Sequence, residues 1–237
     1  INATWEKRNL GLDCNEIIIE KSDKLDKLEK NKKNFESQYT VVKVPMGMTD
    51  ICLYLQDNGY KFIEMLSTCI HDLKEPPLSN IEHKFVNSLS YTDMKDEDIS
   101  NLFIHIKDNL FNDDRISLDP FFSKKNSSDR YMGWIEDEIN NKNKIFNLVY
   151  KTNKVGFFVT KKIDSKLLFA ALGGIFKKYQ NSGFGLALNY HEIQCAKDLG
   201  YKKLRTAFSS NNVAASSIHY KLAYRLESQY YCFVKHR

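Results

Sequence analysis

The 237-residue chain has few of the residues that break or staple structure: ten glycines, four prolines and five cysteines. So little glycine and proline excludes a collagen-like or low-complexity chain. Cys14, Cys52, Cys69, Cys195 and Cys232 are odd in number, far apart and set in apolar or strand-like surroundings. That spacing suggests neither a disulfide framework nor a zinc knuckle, and buried free thiols are expected. His71, His83, His105, His191, His219 and His236 have no metal-ligand spacing, so no metal is expected. No stretch approaches the roughly 18 apolar residues of a membrane helix, and the first residues lack a signal-peptide pattern. The expectation is a soluble, cytoplasmic protein with no membrane partner. A surplus of one charge is missing too: the net charge is +5, and the lysines between Lys21 and Lys33 are interrupted by Asp23, Asp26 and Glu29. Such a run reads as a solvated helix face with Leu25, Leu28 and Phe35 beneath it, and no nucleic-acid partner is expected.

Hydrophobic residues make up 42% of the chain and aromatics 13%, enough to exclude disorder and to build a sizeable core. Hydrophobic periodicity predicts strand 16–20, helix 23–37, strand 39–44, helix 49–57 and strand 61–72. Leu55 to Glu64 echoes Tyr220 to Glu227: a helix ends, an aromatic residue follows and a strand departs. Residues 1–77 therefore read as a smaller α/β domain, either a degenerate relative of the C-terminal part or a convergent module. Pro76 and Pro77, in the polar stretch Glu75 to Asn80, mark the boundary with residues 78–237. Beyond it the pattern predicts strand 86–91, a helix from Thr92 or Asp93 to about Leu110, and a long loop over 112–128. A helix capped by Ser128 or Asp129 and strands 145–151 and 155–161 follow.

The chain is organised around residues 167–190. An apolar strand runs from Leu167 through Gly173, Gly174 and Ile175; Gln180, Asn181, Ser182, Gly183, Phe184 and Gly185 form a turn, and helical periodicity continues to Gly200. A glycine-containing loop at a helix N-terminus is a cradle for anions, so a pyrophosphate-bearing cofactor is its natural occupant. The string Q-x-x-G-x-G also fits a plain tight helix entry. A Walker loop would need Gly-Lys-Ser/Thr, whereas Leu186 and Ala187 follow Gly185. A Rossmann fingerprint would need an acidic residue closing the next strand, and that strand, 202–209, ends in serines.

After that strand come Asn212 as a cap, Ala215, His219, Ala223-Tyr224 and a final strand over 226–234. Together these features resemble the core of the GNAT superfamily of acetyl-CoA-dependent N-acetyltransferases. The likeness extends to the dTDP-fucosamine acetyltransferase type through two short segments, Trp5-Glu6 with Gly11 and Arg130-Tyr131 with Trp134-Ile135. The resemblance implies an α/β (α+β) fold whose mixed central sheet splays at the cofactor strand, with helices on both faces. It also implies acetyl-CoA as co-substrate, held by Gly173, Gly174, Ile175, Gln180, Asn181, Ser182, Gly183, Phe184, Gly185 and Asn212. Adjacent glycines in a strand commonly mark a bulge, so Gly173-Gly174 is its expected place, with a backbone N–H of Gly174 or Ile175 as oxyanion donor. Packing is the plainer reason for the glycine pair.

The family carries a tyrosine seven residues after the asparagine; here that position is His219, followed by Tyr220. Both are candidate acids for the departing thiolate, although they lie about 100° apart on a helix. Leu167 to Ile175 contains no acidic residue or histidine to act as base; a carboxylate from another element, such as Glu136 or Asp164, could act through water, and the base is left unassigned. Arg130, Tyr131 and Trp134 are the candidate acceptor-binding residues. The function implied is acetylation of a primary amine on a small molecule, a nucleotide-linked amino sugar in the subgroup's case. A GNAT-shaped binding module without turnover and a protein N-acetyltransferase are the alternatives, and a homodimer is left open.

Overall fold

The computed structural model describes residues 3–26, 28–30 and 36–237. The N-terminal part contains α1 (Thr4–Leu10), β1 (Cys14–Ile18), β2 (Tyr39–Pro45), α2 (Thr49–Asp57) and β3 (Lys61–His71). Next come α3 (Asn80–Val86), β4 (Leu89–Asp93), α4 (Asp96–Lys107), α5 (Arg115–Leu118), α6 (Lys124–Asn140), β5 (Lys144–Tyr150) and β6 (Asn153–Lys162). The last third holds β7 (Leu167–Ile175), α7 (Phe184–Asp198), β8 (Lys203–Ser209), α8 (Val213–Lys221) and β9 (Arg225–His236). The helix expected over 23–37 includes 27 and 31–35, Phe35 among them, which lie outside the described residues.

Three local differences from the sequence reading have capping causes. The polar stretch after the two prolines ends in a helix, α3, because Ser79 and Glu82 form a reciprocal capping box. The expected loop over 112–128 contains α5, started where Asp114 accepts from the N–H groups of Ile116 and Ser117. Helix α6 begins upstream of Ser128, because Ser123 and Asn126 already satisfy each other's backbone N–H.

Among the described residues the strands form one nine-stranded mixed sheet, in the order β1-β2-β9-β3-β8-β7-β6-β5-β4. Within it, the six strands β1-β2-β9-β3-β8-β7 are arranged symmetrically about the β9–β3 pair. Strands β1 and β2 are parallel, as are β7 and β8, and β9 and β3 cross between them antiparallel to their neighbours. Helix α2 links β2 to β3, and α8 links β8 to β9. Each half thus lays its last strand against the other half's last two. The proposed boundary at 77/78 therefore separates stretches of sequence that share one sheet.

Helices cover both faces. On one, α7 packs over Leu168, Ala170 and Leu204 with Ala187, Leu188 and Ile193; on the other, α4 and α6 cover Phe157 and Val159 with Leu102, Ile106 and Ile135. Phe157 and Phe158, adjacent in β6, go to opposite faces and are fully buried, each stabilising by about 1.5–3 kcal/mol. A third cluster, with Val42, Val44, Ile51 and Leu55, lies under the N-terminal half. The five free cysteines are buried except for the half-buried Cys52.

Candidate active site

The site begins where the central sheet opens. Strand β7 pairs in parallel with β8 only from Leu167↔Lys203 to Ala170↔Thr206, and the Thr206 hydroxyl donates to the Ala170 carbonyl at 3.2 Å. From Ala171 to Ile175 it keeps only its antiparallel neighbour, β6, and these residues become half-buried. The sequence reading placed the bulge at Gly173-Gly174. The register instead jumps from Val159↔Leu172 to Thr160↔Ala170, so Ala171 is the extra residue, where β7 leaves β8.

The glycines answer to packing. A Cβ on Gly173 would lie 3.1 Å from both Leu188 Cδ2 and Glu192 Oε1, and one on Gly174 would lie 3.3 Å from Leu110 Cδ2. Beyond β7 the chain turns through a short 3-10 helix, Lys177–Tyr179, into the Gln180–Gly185 loop. Gly183 is the N-cap of α7 at φ 77°, with no side-chain cap, so donors of the first turn are left for another partner. Gln180, Asn181, Ser182 and Gly183 are exposed; Phe184 is buried, stacked on Phe85 at 6.0 Å, so only its backbone is free to meet a ligand.

A cavity of about 830 Å³ runs along the opening. On one side it is bordered by Gly173, Leu188, Asn189, Glu192, Asn212 and His219, and on the other by Glu64, Arg115, Arg130, Tyr131 and Trp134. Glu136, Asp164 and the Gln180–Gly185 loop do not line it. Asp164 instead accepts the N–H groups of Lys166 and Leu167 in the turn before β7.

The two candidate acids part company. Tyr220 is 61% exposed and does not border the cavity. His219 borders it, stacked on Phe208 at 4.9 Å, and its Nδ1–H donates to the Ala215 carbonyl at 2.6 Å. Burial pulls its pKa down to about 4, and Nε2 is sealed without a partner, so near neutral pH the ring is uncharged with a bare nitrogen. Asn212 caps α8, accepting from Ala215 N–H at 2.8 Å.

The Trp5-Glu6 and Arg130–Trp134 segments meet across α1 and α6. Glu6 accepts from Arg130 Nε and Nη2, each at 2.9 Å, and from Arg115 Nη2. Arg130 lies 5.0 Å above the Trp5 ring, and Trp5 packs edge-on to Trp134 at 6.3 Å. Burial raises the Glu6 carboxyl, and the two guanidinium groups outweigh it, so its pKa is lowered. Burial likewise opposes Asp114, which the Tyr131 hydroxyl at 2.6 Å and Arg130 hold below its ordinary value. Arg130 and Tyr131 are thus cross-linked into the wall, whereas Trp134 is half-buried. Glu64, on β3, is buried with one oxygen unpartnered, and burial raises its pKa.

The sequence reading missed Glu192. It is 4% exposed, its carboxyl lies beside Gly173, and burial alone raises its pKa to about 8. The signal was a carboxylate inside the apolar stripe of α7, one turn after Leu188 and one before Cys195. Among the described residues no group of three or more His, Cys, Asp or Glu is placed to hold a metal, and no helix is long and apolar enough to cross a membrane.

No protein-family model matches the sequence, and no curated protein matches it significantly. Solved structures do match. A GCN5-related N-acetyltransferase from Sphaerobacter thermophilus superposes with TM-score 0.58 at 12% identity over 84% of this chain, which spans 59% of that one. A GCN5-related glucosamine N-acetyltransferase region of a fungal multi-domain GH3 β-N-acetylglucosaminidase gives 0.60 at 10% identity, covering 82% of this chain and 25% of that one. A tandem GNAT protein from the clavulanic acid biosynthesis pathway gives 0.51 at 9% identity, covering 88% and 66%. With its sheet parted at β7 and helices on both faces, this chain has the fold of the GCN5-related N-acetyltransferases.

Proposed function

We propose that the chain is an N-acetyltransferase that moves an acetyl group from acetyl-CoA to a primary amine of a small molecule. The observation that carries this reading is the parting of β7 from β8 at Ala171, with the cavity along the opening and the uncapped start of α7 beyond the end of β7. Those features fit a long cofactor with an anionic end. The backbone of Gly173 to Ile175, freed from β8, would pair with its pantetheine arm. The N–H groups of Asn181 to Gly185, at the positive end of the helix dipole, would hold its pyrophosphate, and Asn212 would border the arm from α8.

Bound acetyl-CoA supplies an activated acyl group as a thioester. The chain's own contribution is positioning, which replaces a bimolecular encounter by an oriented one. The amine would enter from the side of Arg130, Tyr131 and Trp134, where Glu64 is the buried carboxylate suited to take a proton from an ammonium group. An amino sugar carried on a nucleotide is the acceptor favoured by the sequence resemblance, and a glucosamine acetyltransferase region shares the fold. Residues 1–77 are proposed as a degenerate GNAT-like half. In support, β1 and β2 stay paired over all five residues of β1, and Ile17, Leu28, Val42, Leu55 and Tyr60 leave a void of only about 10 Å³.

Calorimetry with acetyl-CoA, followed by thiol release over a panel of amines that includes nucleotide amino sugars, tests the reading. Micromolar binding with acceptor-dependent release is the expected result. One observation favours a second reading: the family's acid position holds a sealed, neutral histidine. Tight binding with no release over the whole panel would make the chain a cofactor-binding module.

A further inference from the structure

Glu192 is a buried carboxyl group at the opened strand with nothing to offset its burial. Its side chain borders the cavity, and Oε1 lies 3.1 Å from where a Cβ on Gly173 would be, two residues beyond the bulge. Burial is the one influence on its ionisation, and no cation or hydrogen-bond donor among the described residues counters it. The titratable neighbours are Cys195 on its own helix, Tyr224 ahead of β9, and His219 of α8 on the same side of the cavity. The thiol is pushed up to about 12, the phenol stands well above 10 and the imidazole falls to about 4, so all three are uncharged near pH 8. Buried polar groups ordinarily have partners, and one left without, facing a cavity, is a place where a ligand completes the bonding.

We propose that Glu192 is the proton donor to the departing thiolate, filling the role that neither His219 nor Tyr220 is placed to fill. The inference rests on the acetyltransferase reading. As the carbon–sulfur bond breaks, its electron pair goes to sulfur and the Glu192 carboxyl proton follows, giving the thiol. The acceptor enters as an ammonium ion and leaves as an amide, losing two protons; one restores Glu192 and the other goes to solvent. Below pH 8 the carboxyl holds its proton, yet it is a strong enough acid to hand it to a thiolate of comparable basicity.

The test titrates the thiol of bound coenzyme A through its ultraviolet thiolate absorbance, in the parent and in Glu192→Gln, which preserves size and hydrogen bonding. An ionised Glu192 beside sulfur should raise the bound thiol's pKa by about one unit or more over its value in the variant. Thermal unfolding confirms that the variant folds, and calorimetry with acetyl-CoA confirms that both proteins bind. Equal thiol pKa values in two proteins that bind acetyl-CoA equally would overturn the assignment while leaving the acetyltransferase reading intact. Failure of the parent to bind acetyl-CoA would overturn both.

Discussion

Replacing Glu192 by glutamine should shift the protein's stability relative to the parent upward by an amount that grows with pH. The folded-state pKa of about 8 stands above the ordinary 4.5, so the unfolded chain ionises first as pH rises. The group's contribution is therefore fully present below pH 4.5 and is lost progressively up to about pH 8. Each pKa unit is worth about 1.36 kcal/mol, so about 3 kcal/mol is lost by pH 7 and up to about 5 by pH 8. Glutamine does not titrate, and any cost of burying its amide is a constant offset; the slope carries the argument. Thermal denaturation at pH 5, 6, 7 and 8 should show the variant's advantage in Tm widening across the series. At about 2–4 °C per kcal/mol for a chain of this size, the widening should reach several degrees. Parallel Tm profiles would refute the claim that Glu192 is buried and protonated.

A glutamate at exposed Ser182, in the loop ahead of α7, should weaken acetyl-CoA binding about tenfold or more at low salt and less at high salt; calorimetry at two ionic strengths checks it. Glu6→Gln should leave Arg115 and Arg130 unneutralised in the wall and cost about 3–5 kcal/mol by denaturant unfolding. Because the Glu6 carboxyl is depressed, its contribution is in place above the ordinary carboxylate range and lost as pH falls through the depressed value, so the variant should also show a flatter acid limb. Tyr220→Phe should leave turnover within about twofold, since the side chain points to solvent; a fall of about 10² would restore it as the acid.

The last third of the chain was legible because local signals agreed: the apolar run of β7, the glycine of the α7 entry and the Asn212 cap each act on nearby residues. The bulge was misplaced by two residues because it depends on which β6 residue faces which β7 residue, a pairing between strands. Glu192 was passed over because periodicity marks the buried face of α7 without saying that this stretch of it underlies an opening in the sheet. Helix α3 was hidden by the prolines before it, whose effect stops at Ser79. The placement of β3 between β8 and β9 joins segments more than 130 residues apart, and no local pattern encodes that.

That exchange of strands constrains how the molecule is made. As the chain leaves the ribosome, β3 is synthesised early, and both strands that will flank it come more than 130 residues later. Until then β3 has two open edges, and the parted sheet that forms the cavity has no finished far side. Long-range pairing of this kind folds slowly and exposes strand edges to other chains. Residues 78–237 expressed alone would lack the strand between β8 and β9, so the half that carries β7 and α7 depends on the first 77 residues for its completion.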